Sequence, residues 1–208
     1  MSHTALPPSS LPDQRHPLTC HPATPCPVPL QLGAALAVAG GESGPGLLLC
    51  YELRGDLADL RLPAAAEPGP ADGLWQHTCF EAFVARPGEP AYLEFNFSPS
   101  GQWAAYRFRS ERVRDPAAEA DRAPARPLIA CSSAPGLLLL QAWLPLQNLP
   151  AVQPGQPLLW GLTAVLEDVA GRLSYWALHH PGPRPDFHHS AGRTLALALP
   201  TQALPRHS

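Results

Sequence analysis

Glu81, Glu94, Asn96 and Arg107 fall in three successive short runs, CFEAFVA, YLEFNFS and WAAYRFR. Side chains alternate across a β-strand, so in YLEFNFS the apolar Leu93, Phe95 and Phe97 face one way while Glu94 and Asn96 face the other. Two carboxylates on neighbouring strands, about 4.8 Å apart, have the short spacing that a retaining glycosidase needs for its acid and its nucleophile. An arginine beside them would hold both ionised, which suits an ion pair better than a general acid that must keep its proton. The same groups also suit recognition without chemistry. Sugar hydroxyls exchange hydrogen bonds with Glu, Asn and Arg, and sugar C–H faces stack on indole rings. Trp75, Trp103 and Trp176 are the stacking candidates. In WAAYRFR the alternation groups Trp103 with Arg107 and sets Tyr106 and Phe108 opposite them. The expected ligand-binding set is therefore Trp75, Glu81, Glu94, Asn96, Trp103, Arg107 and Trp176. The bland alternative is an ordinary solvated sheet face, on which opposite-charge pairs contribute about 0.2–1 kcal/mol each.

Four of the nine histidines lie in LHHPGPRPDFHHS, as His179, His180, His188 and His189, with Asp186 between the pairs. Imidazole and carboxylate ligate zinc, copper or nickel, so His179, Asp186, His188 and His189 form a candidate metal set. Their spacing matches no familiar metal motif, and adjacent residues on a strand point to opposite faces, so no metal is expected. Haem ligation has little to draw on, because the only Met is Met1 and all 14 basic residues are Arg. No cofactor is expected. The Gly-rich phosphate and dinucleotide loops, the nucleophile elbow G-x-S-x-G and the zinc-protease motif H-E-x-x-H are all absent.

These residues need a rigid frame, and the rest of the sequence describes one. Ten apolar or alternating runs, near 30–39, 47–57, 79–86, 91–98, 102–112, 127–132, 136–146, 157–167, 172–180 and 193–199, are each bounded by Gly, Pro, Asp or Ser. Such spacing predicts an all-β chain, a two-sheet antiparallel β-sandwich with little helix. Ser98-Pro99-Ser100-Gly101 reads as a hairpin turn, and only 115–123 has a helical look. Residues 1–29 hold eight of the 28 prolines and are expected to be an irregular segment. One domain over 30–200 and a tail over 201–208 complete the expected plan. With 45% hydrophobic and 15% charged residues the chain can bury a full core, which excludes disorder. Its net charge of −3 disfavours nucleic acid. No run is long enough for a membrane span, and no basic-then-apolar start is present, so a cytoplasmic location is expected. Five scattered cysteines without C-x-x-C spacing argue for free thiols.

Three blocks carry a family resemblance: W-Q-x-T-C-F-E (Trp75 to Glu81), E-F-N-F-S-P-S-G (Glu94 to Gly101) and P-D-F-H-H (Pro185 to His189). Over most of 30–200 the chain resembles the bacterial DOMON-like proteins related to family 9 carbohydrate-binding modules. The resemblance implies a β-sandwich that binds a sugar or another small ligand on one sheet, without catalysis. The resulting expectation is a non-catalytic small-ligand binder with carbohydrate as first candidate. The alternatives are a glycoside-processing enzyme using Glu81 and Glu94, a metal protein using the 179–189 loop, and a module that pairs with partners along a sheet edge.

Overall fold

Alternating apolar side chains and frequent turn residues cut this chain into strands, and the computed structural model shows how they pair. It describes residue 12 and residues 14–41, 44–121, 126–151 and 155–199. Twelve strands form among them: β1 (His16–Cys20), β2 (Leu30–Gly41), β3 (Gly44–Gly55), β4 (Cys79–Ala85), β5 (Tyr92–Phe97), β6 (Trp103–Ser110), β7 (Val113–Arg114), β8 (Leu128–Ala134), β9 (Leu137–Pro145), β10 (Pro157–Glu167), β11 (Leu173–Ala177) and β12 (Leu195–Ala198). One short helix, α1 (Pro116–Asp121), follows β7. Proline occupies its first position, and the Asp115 carboxylate accepts the Ala118 N–H at 3.1 Å. The described residues are nearly all β in their regular structure, at 51% strand and 8% helix.

The strands build an antiparallel sandwich in which β1 belongs to both layers. The first sheet runs β8-β9-β3-β2-β1 and the second β7-β6-β5-β4-β10-β11-β1, with β12 beside the start of β10. His16–Leu18 pair with β2, whereas Thr19 and Cys20 pair with β11. Over 16–20 this corrects the expectation of an irregular segment at 1–29. Proline removes a ladder donor, but Pro17 lies where β1 has a ladder on one side only, and a missing N–H is tolerated there. Residues 1–11 and 201–208 lie outside the described residues.

The core fills the space between the layers. Leu47, Leu49, Tyr51, Leu53, Leu138 and Leu140 from the first sheet meet Phe80, Val84, Phe95, Phe97, Trp160 and Leu162 from the second. Burying each such side chain contributes about 1.5–3 kcal/mol. Tyr51 carries a hydroxyl into this core, and it donates to the Glu81 carbonyl oxygen at 2.6 Å, which ties the sheets together at the level of the candidate site. Because β4, β5 and β10 use one set of alternate residues for this core, the other set faces outward.

Candidate functional site

The outward face of the second sheet can be read from its register. Thr163 of β10, Glu81 of β4, Asn96 of β5 and Ala104 of β6 stand side by side in one row. The next row is Gly161, Phe83, Glu94 and Tyr106, and the one after it Leu159, Ala85, Tyr92 and Phe108. Phe83, Tyr92, Tyr106, Phe108 and two alanines form a second apolar cluster, separate from the core, against which Leu74 and Phe187 pack. Polar groups are thus embedded in an aromatic surface.

Register also decides which expected residues meet. Glu81, Glu94 and Asn96 share this face. Trp103, Arg107 and Trp176 do not, and the expected gathering of all seven residues is corrected. The turn at 98–101 pairs Phe97 with Trp103 and Asn96 with Ala104, so Trp103 points into the core and is 8% exposed. Shifting a register by one residue exchanges the faces of a strand. Arg107 is opposite Leu93 on that same side and lines a depression with Phe95, Glu119 and Asn148. Trp176, opposite Ala164, is a core residue whose Nε1 donates to Ser174 Oγ at 3.1 Å. Trp75 lies in the 3-10 turn Leu74–Gln76 that packs against β4 and β5, and it is exposed at the rim. Tyr92, Tyr106, Phe83 and Thr163 were missed; correct pairing of the 98–101 hairpin would have brought Tyr106 to Glu94.

The three sequence blocks converge here. In the first, Thr78 Oγ1 donates to the Arg61 carbonyl at 2.7 Å and accepts the Glu167 N–H at 3.0 Å. His77 Nδ1 and Arg61 both meet the Glu167 carboxylate at 2.7 Å. These bonds hold the 74–78 segment at the end of β10. In the second, Ser98 and Ser100 bond within the turn, where Gly101 takes φ 89°. The third block forms a strap across the face. Asp186 Oδ1 accepts from His188 N at 3.0 Å and from Arg112 at 2.8 Å, Phe187 packs edge-on to Phe83, and the His188 ring lies among Phe83, Tyr92 and Phe108. Arg193 stacks over the Tyr92 ring at 4.8 Å. The strap passes close to Gly161, where a Cβ would lie 3.2 Å from the Gly192 carbonyl oxygen.

This geometry disperses the metal candidates. His188 Nδ1 bonds to the Tyr92 hydroxyl, His189 Nδ1 accepts the Ala191 N–H, and Asp186 is engaged as described. Among the described residues no three His, Cys, Asp or Glu side chains converge on one point.

Burial governs the electrostatics of the face. Glu81 is 2% exposed and Glu94 4%. Burial, reinforced by the neighbouring Glu94, pushes the Glu81 carboxyl well above the usual carboxylate range. Burial raises Glu94 to about 7, against the lowering pull of its bond from Asn96 Nδ2 at 2.9 Å and of Arg114 and Arg112. Burial, then Arg112, lowers His188 to about 4, so its ring is neutral at pH 7. The Tyr106 hydroxyl donates to Asp72 at 2.8 Å. Three side-chain atoms of the polar row remain without a partner although buried: Thr163 Oγ1, Glu81 Oε1 and Asn96 Oδ1. Native proteins leave few such atoms, since each costs about 1–3 kcal/mol.

No family model matches the sequence. No curated protein matches it either. The fold, however, has clear neighbours among solved structures. A candidate carbohydrate-binding protein from Bacteroides uniformis superposes with a TM-score of 0.63 at 17% identity, covering 87% of this chain and 84% of that one. A family 9 carbohydrate-binding module from Caldicellulosiruptor kristjanssonii, in complex with cellotriose, superposes with a TM-score of 0.56 at 12% identity, covering 90% of this chain and 82% of that one. The chain therefore has the sandwich fold seen in carbohydrate-binding modules.

Proposed function

We propose that the protein binds a small polyhydroxylated ligand, a carbohydrate first, on the aromatic face of its second sheet and performs no chemistry on it. The observation that carries this reading is the row Thr163, Glu81 and Asn96, with three buried and unpartnered oxygens in a frame of Phe83, Tyr106 and Leu74. Sugar hydroxyls donate and accept hydrogen bonds, and aromatic side chains receive the C–H surface. The neighbours' carbohydrate ligands on the same fold agree with it.

Glycoside cleavage is the weaker reading of the same carboxyls. A raised Glu94 suits a general acid, but burial also keeps the proton on Glu81, and a retaining mechanism needs the second carboxylate ionised. The test is isothermal titration of hexoses and cello-oligosaccharides against the wild type, Thr163→Val and Asn96→Ala. Binding by the wild type that weakens about tenfold, or 1.4 kcal/mol, in each variant supports the proposal. Absence of binding at millimolar sugar, or equal affinity in all three proteins, removes it.

A further inference from the structure

The unpartnered atoms of the polar row have a chemical bias. Asn96 Oδ1 is an acceptor, with one of the two N–H groups on its Nδ2 already given to Glu94, Glu81 Oε1 is an acceptor once its carboxyl is ionised, and Thr163 Oγ1 accepts as readily as it donates. A sugar hydroxyl brings one proton and can satisfy one acceptor by donation. A primary ammonium brings three N–H donors and a positive charge. The row spans three adjacent strands about 4.8 Å apart, with Glu81 on the central one and one acceptor-bearing residue on either side. Beyond it Ala104 and Ala177, beside Asn96 and Thr163, end the row with small side chains that bring no further polar group.

The cations near the face stand away from Glu81. Arg114 lies over the Tyr106 ring at 4.3 Å and pairs with Glu119, Arg193 lies over Tyr92, and Arg112 pairs with Asp186. Arg112 and Arg114 act on Glu94 rather than Glu81. The other titratable groups around Glu81 are Glu94 from β5, Cys79 on its own strand, Tyr175 from β11 and Tyr51 from β3, and none of them is a cation. Aromatic rings beside the row add the π-faces that favour an ammonium once water is excluded.

We infer that the Thr163-Glu81-Asn96 row recognises a primary ammonium group, so that the ligand is an amino sugar or a related hydroxylated amine. This rests on the proposed ligand-binding reading and narrows it. Burial and the neighbouring Glu94 favour the protonated form of the Glu81 carboxyl in the empty site; when the ammonium seats, a proton held there leaves to solvent and the carboxylate accepts from the ammonium N–H, with no change in any bond between heavy atoms.

Two sets of probes separate the claims. Methylammonium chloride, compared with sodium chloride and methanol by thermal unfolding, probes the amine site without a sugar. Glucosamine, galactosamine and mannosamine, compared with their parent hexoses by calorimetry in buffers of different ionisation enthalpy, probe the ligand class. The expected result is a Tm raised by methylammonium alone, hexosamines bound at least tenfold tighter than the hexoses, and about one proton released per amine. All three effects should disappear in Glu81→Gln, whose own cooperative unfolding shows that it is folded. If methylammonium is inert and hexosamines bind no tighter than hexoses, the amine inference is overturned while carbohydrate binding stands. If neither amines nor hexoses bind, both readings are overturned.

Discussion

The Tyr92 hydroxyl and His188 Nδ1 lie 2.7 Å apart, a bond that fastens the 179–193 strap to the middle of the second sheet. The same hydroxyl accepts the Arg112 N–H at 3.1 Å, so one side chain holds both the strap and the turn after β6. With the hydroxyl donating to Nδ1, the His188 proton sits on Nε2, facing Glu94 at 3.9 Å.

Tyr92→Phe keeps the ring stack on Phe108, at 4.7 Å between centroids, and removes only these two bonds. We expect a loss of about 1–3 kcal/mol in urea unfolding, together with faster proteolysis within 181–189. An unchanged cleavage rate would show that the strap is held by its packing alone.

Glu94 and His188 act oppositely on the pH dependence of stability. Glu94 is raised in the folded state, so the fold binds more protons than the unfolded chain between pH 4.5 and 7, and stability falls as pH rises through that window. His188 is lowered, so its contribution is complete above pH 6.5 and is lost as pH falls toward 4. Glu81, raised likewise, adds to the Glu94 slope, so wild-type stability falls with pH between 4.5 and 6.5 although His188 opposes it. Denaturant unfolding of Glu94→Gln should therefore show stability falling less steeply with pH over that range than in wild type. His188→Gln should show it falling more steeply.

Two tryptophans should behave in opposite ways. Trp103→Ala empties a core site and is expected to cost about 3–5 kcal/mol. Trp75, 48% exposed, should cost less than about 0.5 kcal/mol when replaced by Ala. Trp75→Ala should instead weaken any ligand that stacks at the rim, as read by titration.

Thr163→Val removes a buried hydroxyl that has no partner and keeps the shape of the side chain. It should raise the stability of the empty protein by about 1 kcal/mol and weaken the ligand complex. Lower stability would mean that an internal water already satisfies this oxygen.

Gly161→Ala places a methyl group against the Gly192 carbonyl, a backbone atom that moves only with the strap. Stability should fall, and the His188 ring resonances should shift, because Arg193 bonds to the His188 carbonyl at 3.2 Å. Unchanged His188 resonances would show that the strap accommodates the methyl group by itself.

Strand positions were legible in the sequence because turn residues bound every apolar run, and β2, β3, β4, β5, β9 and β10 fall close to where alternation puts them. β1 was not, because its place depends on where its ladder lies, and proline content does not reveal that. Glu81, Glu94 and Asn96 could be grouped by alternation within each strand and a simple hairpin. Tyr106 could not, since the partner of Glu94 depends on how many residues the 98–101 turn consumes. The strap was invisible as a cover: its histidines suggested ligands, and only the placement of His188 on Phe83 and Tyr92 shows that this one packs.

Sharing β1 between the layers has a consequence for a chain emerging from the ribosome. Thr19 must wait for Ala177, 158 positions later, before its second edge is filled. At about 5–20 residues per second, the interval is roughly ten to thirty seconds, during which β1 and β2 can pair but β1 has no neighbour from the second sheet. Closure of the sandwich is thus a late, long-range event, of the kind that slows folding of β proteins.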